Sequence, residues 1–352
     1  MKKILNPYST ALIALVTILS IFGVLMSASL SVVYENIILR HAVYVLVGYC
    51  FMIFFSFFDH TILRRFAKIL FILLVISLIT LLAKGGIARS LDLGVFSLQP
   101  SQFAYIIVSL LFARIFSDNI KDESIFKAFL IAFILVALVF LLVSFEPDMG
   151  SGAQIFLTGF LLLIIIGMPS LQILIFSAGS FLGVIALIPL SDEWKRRVVA
   201  FLNPYAHSSG EALQTLQSLR AFARGGLTGV GFMKGIFKYP YMLPVSISDF
   251  ILPIAGEEFG AVFVFFVLLI YVGLIYVGFR ISIDSDSIFS RILGLGLTLG
   301  IASWAILNIA VSLGLMPTTG VPLPFISFGG NNMLANFIAV GILINISRRE
   351  VE

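Results

Sequence analysis

Long apolar runs alternate with short polar interruptions along almost the whole chain. A helix needs about 20 apolar residues to cross the core of a bilayer. Ten stretches meet or approach that length, at about residues 10–30, 37–58, 66–83, 99–116, 125–145, 151–168, 171–190, 254–279, 289–314 and 329–346. The fourth and sixth are short and adjoin polar residues, and the tenth begins at the Gly329-Gly330 pair. The pattern predicts an all-α polytopic membrane protein. It is one transmembrane domain over residues 1–352, with a large extracytoplasmic loop at about 191–253 between helices seven and eight. The first run, Thr10 to Leu30, is long for a signal-peptide core and has no evident A-x-A cleavage site, so it reads as a retained helix.

Composition supports this and removes other classes. Of 352 residues, 60% are hydrophobic and only 11% are charged, against about 25% charged in soluble domains. The single Cys50 excludes an intrachain disulfide and a cysteine metal cluster, and its apolar run makes it a candidate small buried hydrophobe. His41, His60 and His207 do not lie at metal-ligand spacing.

Charge placement sets the orientation, because short cytoplasmic loops are rich in Lys and Arg. With the N-terminus inside, the inner segments hold Lys2, Lys3, Arg64, Arg65, Lys68, Arg114, Lys121, Lys127, Arg280, Arg291, Arg348 and Arg349, twelve in all. The short outer segments hold only three, Arg40, Lys84 and Arg89. Both termini are therefore expected in the cytoplasm. The remaining seven of 22 cations all fall in the long outer loop: Lys195, Arg196, Arg197, Arg220, Arg224, Lys234 and Lys238. Such a loop is either merely solvated and cationic or a site for an anionic, phosphate-bearing substrate. Within it, RGGLTGVGF (224–232) permits positive φ and close backbone approach to a ligand, although it lacks the spacing of a P-loop.

The segment VSISDFILPIAGEEFG (245–260) puts three carboxylates beside membrane-grade sequence, where charge is costly and usually functional. Ser248 or Asp249 could cap helix eight, or Asp249 could act as a base at its outer mouth. At about 100° per residue, Glu257 lies about 80° from Asp249 around the helix and Glu258 about 180° away. Glu257 is then a pocket or structural residue, while Glu258 should pair with a neighbouring helix. Asp148, after Pro147, is either half of a structural salt bridge or a pyrophosphate or metal ligand. Arg40 and His41 start helix two, with Arg40 either snorkelling or facing the site. VPLPFISFGG (321–330) fits a broken, re-entrant segment that shapes the outer cavity.

Five stretches together resemble the SEDS proteins, the RodA, FtsW and SpoVE group. LDLGVFSLQPSQFA (91–104) is similar to that family's LG…QPSE segment and EPDMGSG (146–152) to its QPDLGT. NPYAHSSGEALQTLQSLRAFARGGLTGVGF (203–232) follows its large loop, with Gln214, Gln217, Ser218 and the glycines in register. SDFILPIAGEEFG (248–260) resembles TDFIFAVIGEELG, and PTTGVPLPFISFGGNNML (317–334) resembles PVTGIPLPFVSYGGSSLL. The likeness runs through most of the chain. It implies ten transmembrane helices and polymerisation of lipid II, the undecaprenyl-pyrophosphate-linked disaccharide pentapeptide of peptidoglycan. It also implies work beside a class B penicillin-binding protein and other elongation or division proteins in the bacterial cytoplasmic membrane, with no nucleic acid involved. The family's catalytic aspartate maps onto Asp249. The sequence departs from the family pattern at Ser90, Gln102, Tyr105, Ile247 and Pro253. Tyr105 replaces a lysine that in the family can pair with the aspartate matching Asp148, so Asp148 must find another partner.

Glycosyl transfer from a pyrophosphate donor needs a carboxylate base, cations for the leaving pyrophosphate, and an apolar groove for the lipid. The expected site is Asp249 as catalyst, with Arg196, Arg197, Gln214, Gln217, Ser218, Arg220, Arg224, Glu257, Arg40 and Asp148 around the substrate. A divalent cation, Mg or Mn, would serve the same end as the arginines. Two other functions stay in view: a lipid II flippase and a non-catalytic scaffold. Transporters commonly show inverted repeats and midplane ionisable residues; no repeat is visible here and the polar residues gather at the outer face.

Overall fold

Ten helices are long and apolar enough to cross a membrane. They are α1 (Pro7–Leu30), α2 (Ile37–Phe57), α3 (His60–Ala83), α4 (Pro100–Asn119), α5 (Ile125–Phe145), α6 (Met149–Ile166), α7 (Ser170–Leu187), α10 (Ile251–Ile283), α11 (Ile288–Ser312) and α12 (Gly330–Ser347). The structure, a computed structural model, describes residues 7–83, 89–92, 94, 97–119, 125–146, 148–205, 210–244 and 248–348. Lys2, Lys3, Lys84, Lys121, Pro147, His207, Ile247 and Arg349 lie outside the described residues.

The expected spans hold, with shifted ends. The largest single shift is at α3, which starts at His60 rather than 66, and the largest gain in length is at α10, which starts at Ile251 and runs for 33 residues. Its first turns are buried in protein rather than lipid, so apolar-run length underestimates it. The long loop is itself folded. It holds a 3₁₀ turn (Ile188–Leu190) and two amphipathic helices, α8 (Asp192–Leu202) and α9 (Glu211–Gly225). Before α4, Leu91–Asp92 (β1) pairs antiparallel with Ser97–Leu98 (β2). Two residues per strand are too few for a period-2 signal to be read.

Packing centres on α11, buried nearly all round. Small residues make this possible, as in other membrane bundles. A Cβ at Gly300 would collide with the Tyr105 ring, and one at Gly296 with the Ser109 side chain. By contrast, α2 buries a single line, Ile37, His41, Gly48, Met52 and Ser56. Cys50 lies off that line and is exposed, not buried as its apolar run suggested. Helix α7 buries only Gln172 and Phe176, near its start. Gln172 donates to the Phe126 carbonyl (3.1 Å), and Phe176 stacks on Phe133 with centroids 4.1 Å apart.

The segment 321–329 is irregular and buried, with Val321, Leu323, Phe325 and Ile326 each 2% exposed or less. Backbone without helix needs partners at membrane depth. Asn308 Nδ2 donates to the Val321 carbonyl (2.6 Å), Ser327 Oγ accepts from the Leu323 N–H (2.9 Å), and the Tyr271 hydroxyl donates to the Pro324 carbonyl. The broken segment read from its prolines and glycines is thus a protein-covered wall at the end of the bundle where α10 begins.

Candidate active site

Helix α10 is broken at Gly260, whose φ of 84° and ψ of 174° lie outside any helix. The break leaves carbonyls and N–H groups without helical partners, and the glycine-rich loop satisfies them. Val230 and Gly231 N–H donate to the Glu257 and Glu258 carbonyls (2.9 and 3.0 Å). Ala261 and Val262 N–H donate to the Gly226 and Leu227 carbonyls (2.8 and 3.2 Å). The loop can come this close only without side chains. A Cβ at Gly225 would sit 2.0 Å from the Gly256 carbonyl oxygen, and one at Gly229 would sit 2.3 Å from that of Glu258. The glycines serve backbone packing against α10, not a phosphate cradle.

The two glutamates complete the weld. Glu257 is fully buried, pairs with Arg224, and accepts from the Ile236 and Phe237 N–H groups (2.9 and 3.0 Å). Glu258, 1% exposed, accepts from Ser29 Oγ of α1 (2.6 Å), the Met233 N–H (3.0 Å) and Lys238 Nζ (3.1 Å). Glu257 is therefore corrected from a substrate contact to a loop anchor, with Arg224, itself exposed, as its partner. The reason is burial: a carboxylate with every oxygen engaged has nothing left for a ligand. Glu258 pairs with a neighbouring helix, as its angular position suggested.

Asp249 sits at the free end of this welded unit, half-buried. The α10 cap position belongs to Phe250, which makes no side-chain cap bond, so Asp249 is not the helix cap. Its carbonyl accepts from Asn308 Nδ2 (2.8 Å), the same amide that holds Val321. One asparagine thus ties the Asp249 backbone to the 317–321 segment. Opposite stands Gly320, with φ 73°, where an added Cβ would be 3.7 Å from Asp249 Oδ2. Burial pushes the Asp249 carboxyl up to about 6; Ser248 and the Arg197 and Arg89 charges pull it down, while Asp148 adds to the rise.

Arg197 is the outer-loop cation beside it. Its guanidinium spans Glu193 Oε1 (2.6 Å) and the Thr318 carbonyl (2.7 Å), which fastens α8 to the site wall. Asp148 caps α6 by accepting from the Ser151 N–H (3.2 Å), and also accepts from Gln99 Nε2 (2.9 Å) and Ser101 Oγ (3.1 Å). Those are the partners that replace the missing lysine. At that lysine's position, the Tyr105 hydroxyl instead meets the Ala335 carbonyl (3.3 Å) and Asn336 Oδ1 (3.2 Å) of α12. Gln102 bridges Ser151 Oγ (2.9 Å) and Asn332 Nδ2 (3.0 Å).

Other expected contacts are not brought together. Arg196 is 69% exposed and pairs with Glu193. Arg220 is exposed on α9 and, among the described residues, reaches Gln217 at 3.5 Å. Ser218 is buried and donates to the Ser312 carbonyl (2.5 Å), which docks α9 on α11 and corrects its reading as a substrate contact. Gln214 is half-buried on α9, and Arg40 is exposed at the start of α2. Among the described residues, no group of three or more His, Cys, Asp or Glu is placed to hold a metal ion. Asp148, the candidate ligand, already has three donors.

Three residues escaped sequence reasoning. Asn308 is a lone amide in an apolar run, a visible signal of a membrane-buried polar role. Arg89 looked like an ordinary loop cation. Glu146 is fully buried, and among the described residues neither carboxylate oxygen has a hydrogen-bond partner. Burial, then the Asp148 charge, pushes it up to about 8 against the pull of Arg89.

Beside this cluster lies an apolar groove of about 800 Å³ among α5, α6, α7 and α8. Phe140, Phe156, Trp194 and Leu307 line it, and it ends at Pro317 and Thr319. It exists because α7 is held near its start, at Gln172 and Phe176, and is little buried towards its C-terminal end.

Known proteins agree with this architecture. The chain is 36% identical over 290 residues to a probable peptidoglycan glycosyltransferase FtsW of Coxiella burnetii, covering 79% of this chain and 76% of the relative. It is 30% identical over 286 residues to the peptidoglycan glycosyltransferase MrdB of Escherichia coli, covering 80% and 77%. The fold matches, with a TM-score of 0.80 and 21% identity over 96% of each chain, a solved chain from work on polymerization and crosslinking by a peptidoglycan synthase complex. The model of a family described as "Cell cycle protein", that of FtsW, RodA and SpoVE, matches residues 9–352. With nearly every residue matched and the welded α10 break supporting the aspartate motif, the chain belongs to the FtsW/RodA/SpoVE family.

Proposed function

We propose that this protein is an inverting glycosyltransferase that polymerises lipid II into glycan strands at the outer face of the cytoplasmic membrane, during elongation or division. The observation that carries the reading is the juxtaposition of Asp249 with Arg197 where the apolar groove ends. The names of the relatives support the reaction class. The twelve-to-three distribution of Lys and Arg supports both termini inside and Asp249 outside.

In this mechanism the polyprenyl chain lies in the groove between α5 and α7. The acceptor hydroxyl gives its proton to the Asp249 carboxylate while its oxygen attacks the anomeric carbon of the donor. The bond from that carbon to the pyrophosphate oxygen breaks, and Arg197 and Arg89 offset the charge that develops on the leaving group. A carboxyl near 6 is mostly ionised at neutral pH yet basic enough to take a proton, which suits a general base. A class B penicillin-binding protein as partner is supported by the synthase complex that shares the fold.

The test is lipid II polymerisation by purified protein, with and without its class B partner. Glycan strands should form with the wild type and fall ~10²–10⁴-fold with Asp249→Asn. Near-normal strands from a correctly folded Asn variant would reject the base. Lipid II translocation without polymer would favour the flippase reading.

A further inference from the structure

At the end of the bundle opposite Asp249, α3, α4 and α5 enclose a second cavity of about 530 Å³. Leu111 and Ile115 of α4 line it between Phe71 of α3 and Ile131 of α5. Lys68 and Lys127, both exposed, complete the lining. Two other cations at this end, Arg64 and Arg114, are engaged. Arg64 pairs with Asp118, and Arg114 donates to the Arg64 and Arg65 carbonyls (3.0 and 3.1 Å) with its Nε 3.8 Å from Asp118. Among the described residues, neither lysine has an ion pair with a carboxylate. Around the opening the surface is apolar: Ile69 is 53% exposed, Ile72 56% and Ile134 54%.

An apolar slot between membrane helices flanked by two exposed ammonium groups calls for a ligand with a tail and a negative head. We infer that this cavity binds an anionic phospholipid, its phosphodiester between Lys68 and Lys127 and an acyl chain along Leu111 and Ile115. Basic pockets between transmembrane helices on the cytoplasmic side take such headgroups. Lysine suits the role as a compact point charge on a flexible stem. A zwitterionic lipid fills the slot equally well but brings no net charge, so the lysines select for charge rather than for shape. Assignment to the inner leaflet rests on the proposed orientation; binding itself does not.

The test is native mass spectrometry of the purified full-length protein in detergent, with phosphatidylglycerol and phosphatidylethanolamine titrated separately. Phosphatidylglycerol should be retained selectively, and inorganic phosphate should not displace it. Lys68→Gln/Lys127→Gln should lower its retention about 30-fold, and each single change about fivefold, from about 1 kcal/mol per lysine. Lys68→Arg/Lys127→Arg should keep most of it. Both lysines are exposed, so melting without lipid should match the wild type, and polymerisation should proceed in the double Gln variant. Equal retention of the two lipids, or phosphatidylglycerol retention unchanged in the double Gln variant, overturns the proposal. So does displacement by inorganic phosphate, or occupation of the slot by a helix of a partner with no lipid retained.

Discussion

Replacing Glu146 by glutamine should stabilise this protein, and the size of the gain follows from its surroundings. The side chain is fully buried, both oxygens are unpartnered among the described residues, and burial pushes its carboxyl up to about 8 from an ordinary value of 4.5. Between those values the folded state holds a proton that the unfolded chain has lost. Stability therefore falls as pH rises through that window and is level on either side of it. At pH 7 the gap from 4.5 is about 2.5 units, or about 3 kcal/mol at 1.36 kcal/mol per unit. Glu146→Gln keeps the shape, never ionises, and removes that cost. The assay is unfolding in detergent followed by the fluorescence of Trp194 and Trp304, both buried, from pH 5 to 8.5. Wild type and variant should be closest at pH 5, within about 1 kcal/mol, and diverge by about 1.4 kcal/mol per unit up to about pH 8. A variant less stable at pH 7, or a gap that does not change with pH, would refute the reasoning.

Other expectations follow from the same geometry. Because Asp249 must be ionised to act as a base, polymerisation should rise from acid to neutral pH with a midpoint near 6, read from a pH–rate profile. Arg197→Gln removes a charge that holds that value down, so the midpoint should move to higher pH and donor use should weaken, whereas Arg196→Gln and Arg220→Gln should leave the profile in place. Lys238→Met strips a buried partner from Glu258 and should cost about 3–5 kcal/mol in thermal unfolding, since the remaining carboxylate stays buried. In a background without Cys50, Tyr205→Cys in the outer loop should react with an impermeant thiol reagent on intact cells; reaction only after permeabilisation would reverse the topology.

The ten spans and the folded state of the membrane domain were legible in the sequence. Burial in lipid acts on every residue of a helix at once, and a run of twenty apolar residues has few other uses. Asp249 was legible as unusual for the same reason, since a carboxylate beside such runs needs a cause. Its proposed role as a base came from the resemblance, because position alone also allowed a cap. What the tertiary structure decided concerns partners distant in sequence. RGGLTGVGF reads the same whether its backbone meets a phosphate or the broken turn at Gly260. Only the fold brings Val230 and Gly231 to the Glu257 and Glu258 carbonyls. Glu257 and Ser218 likewise looked like substrate contacts until burial showed their hydrogen bonds already spent within the protein. Arg196 and Arg197 are neighbours in sequence, yet one faces solvent and the other reaches Thr318, because successive helical positions point about 100° apart. Hydrophobicity is a property that each residue carries with it. Hydrogen-bond saturation and the field at a carboxyl belong to the set of groups around it, and that set exists only once the chain has folded.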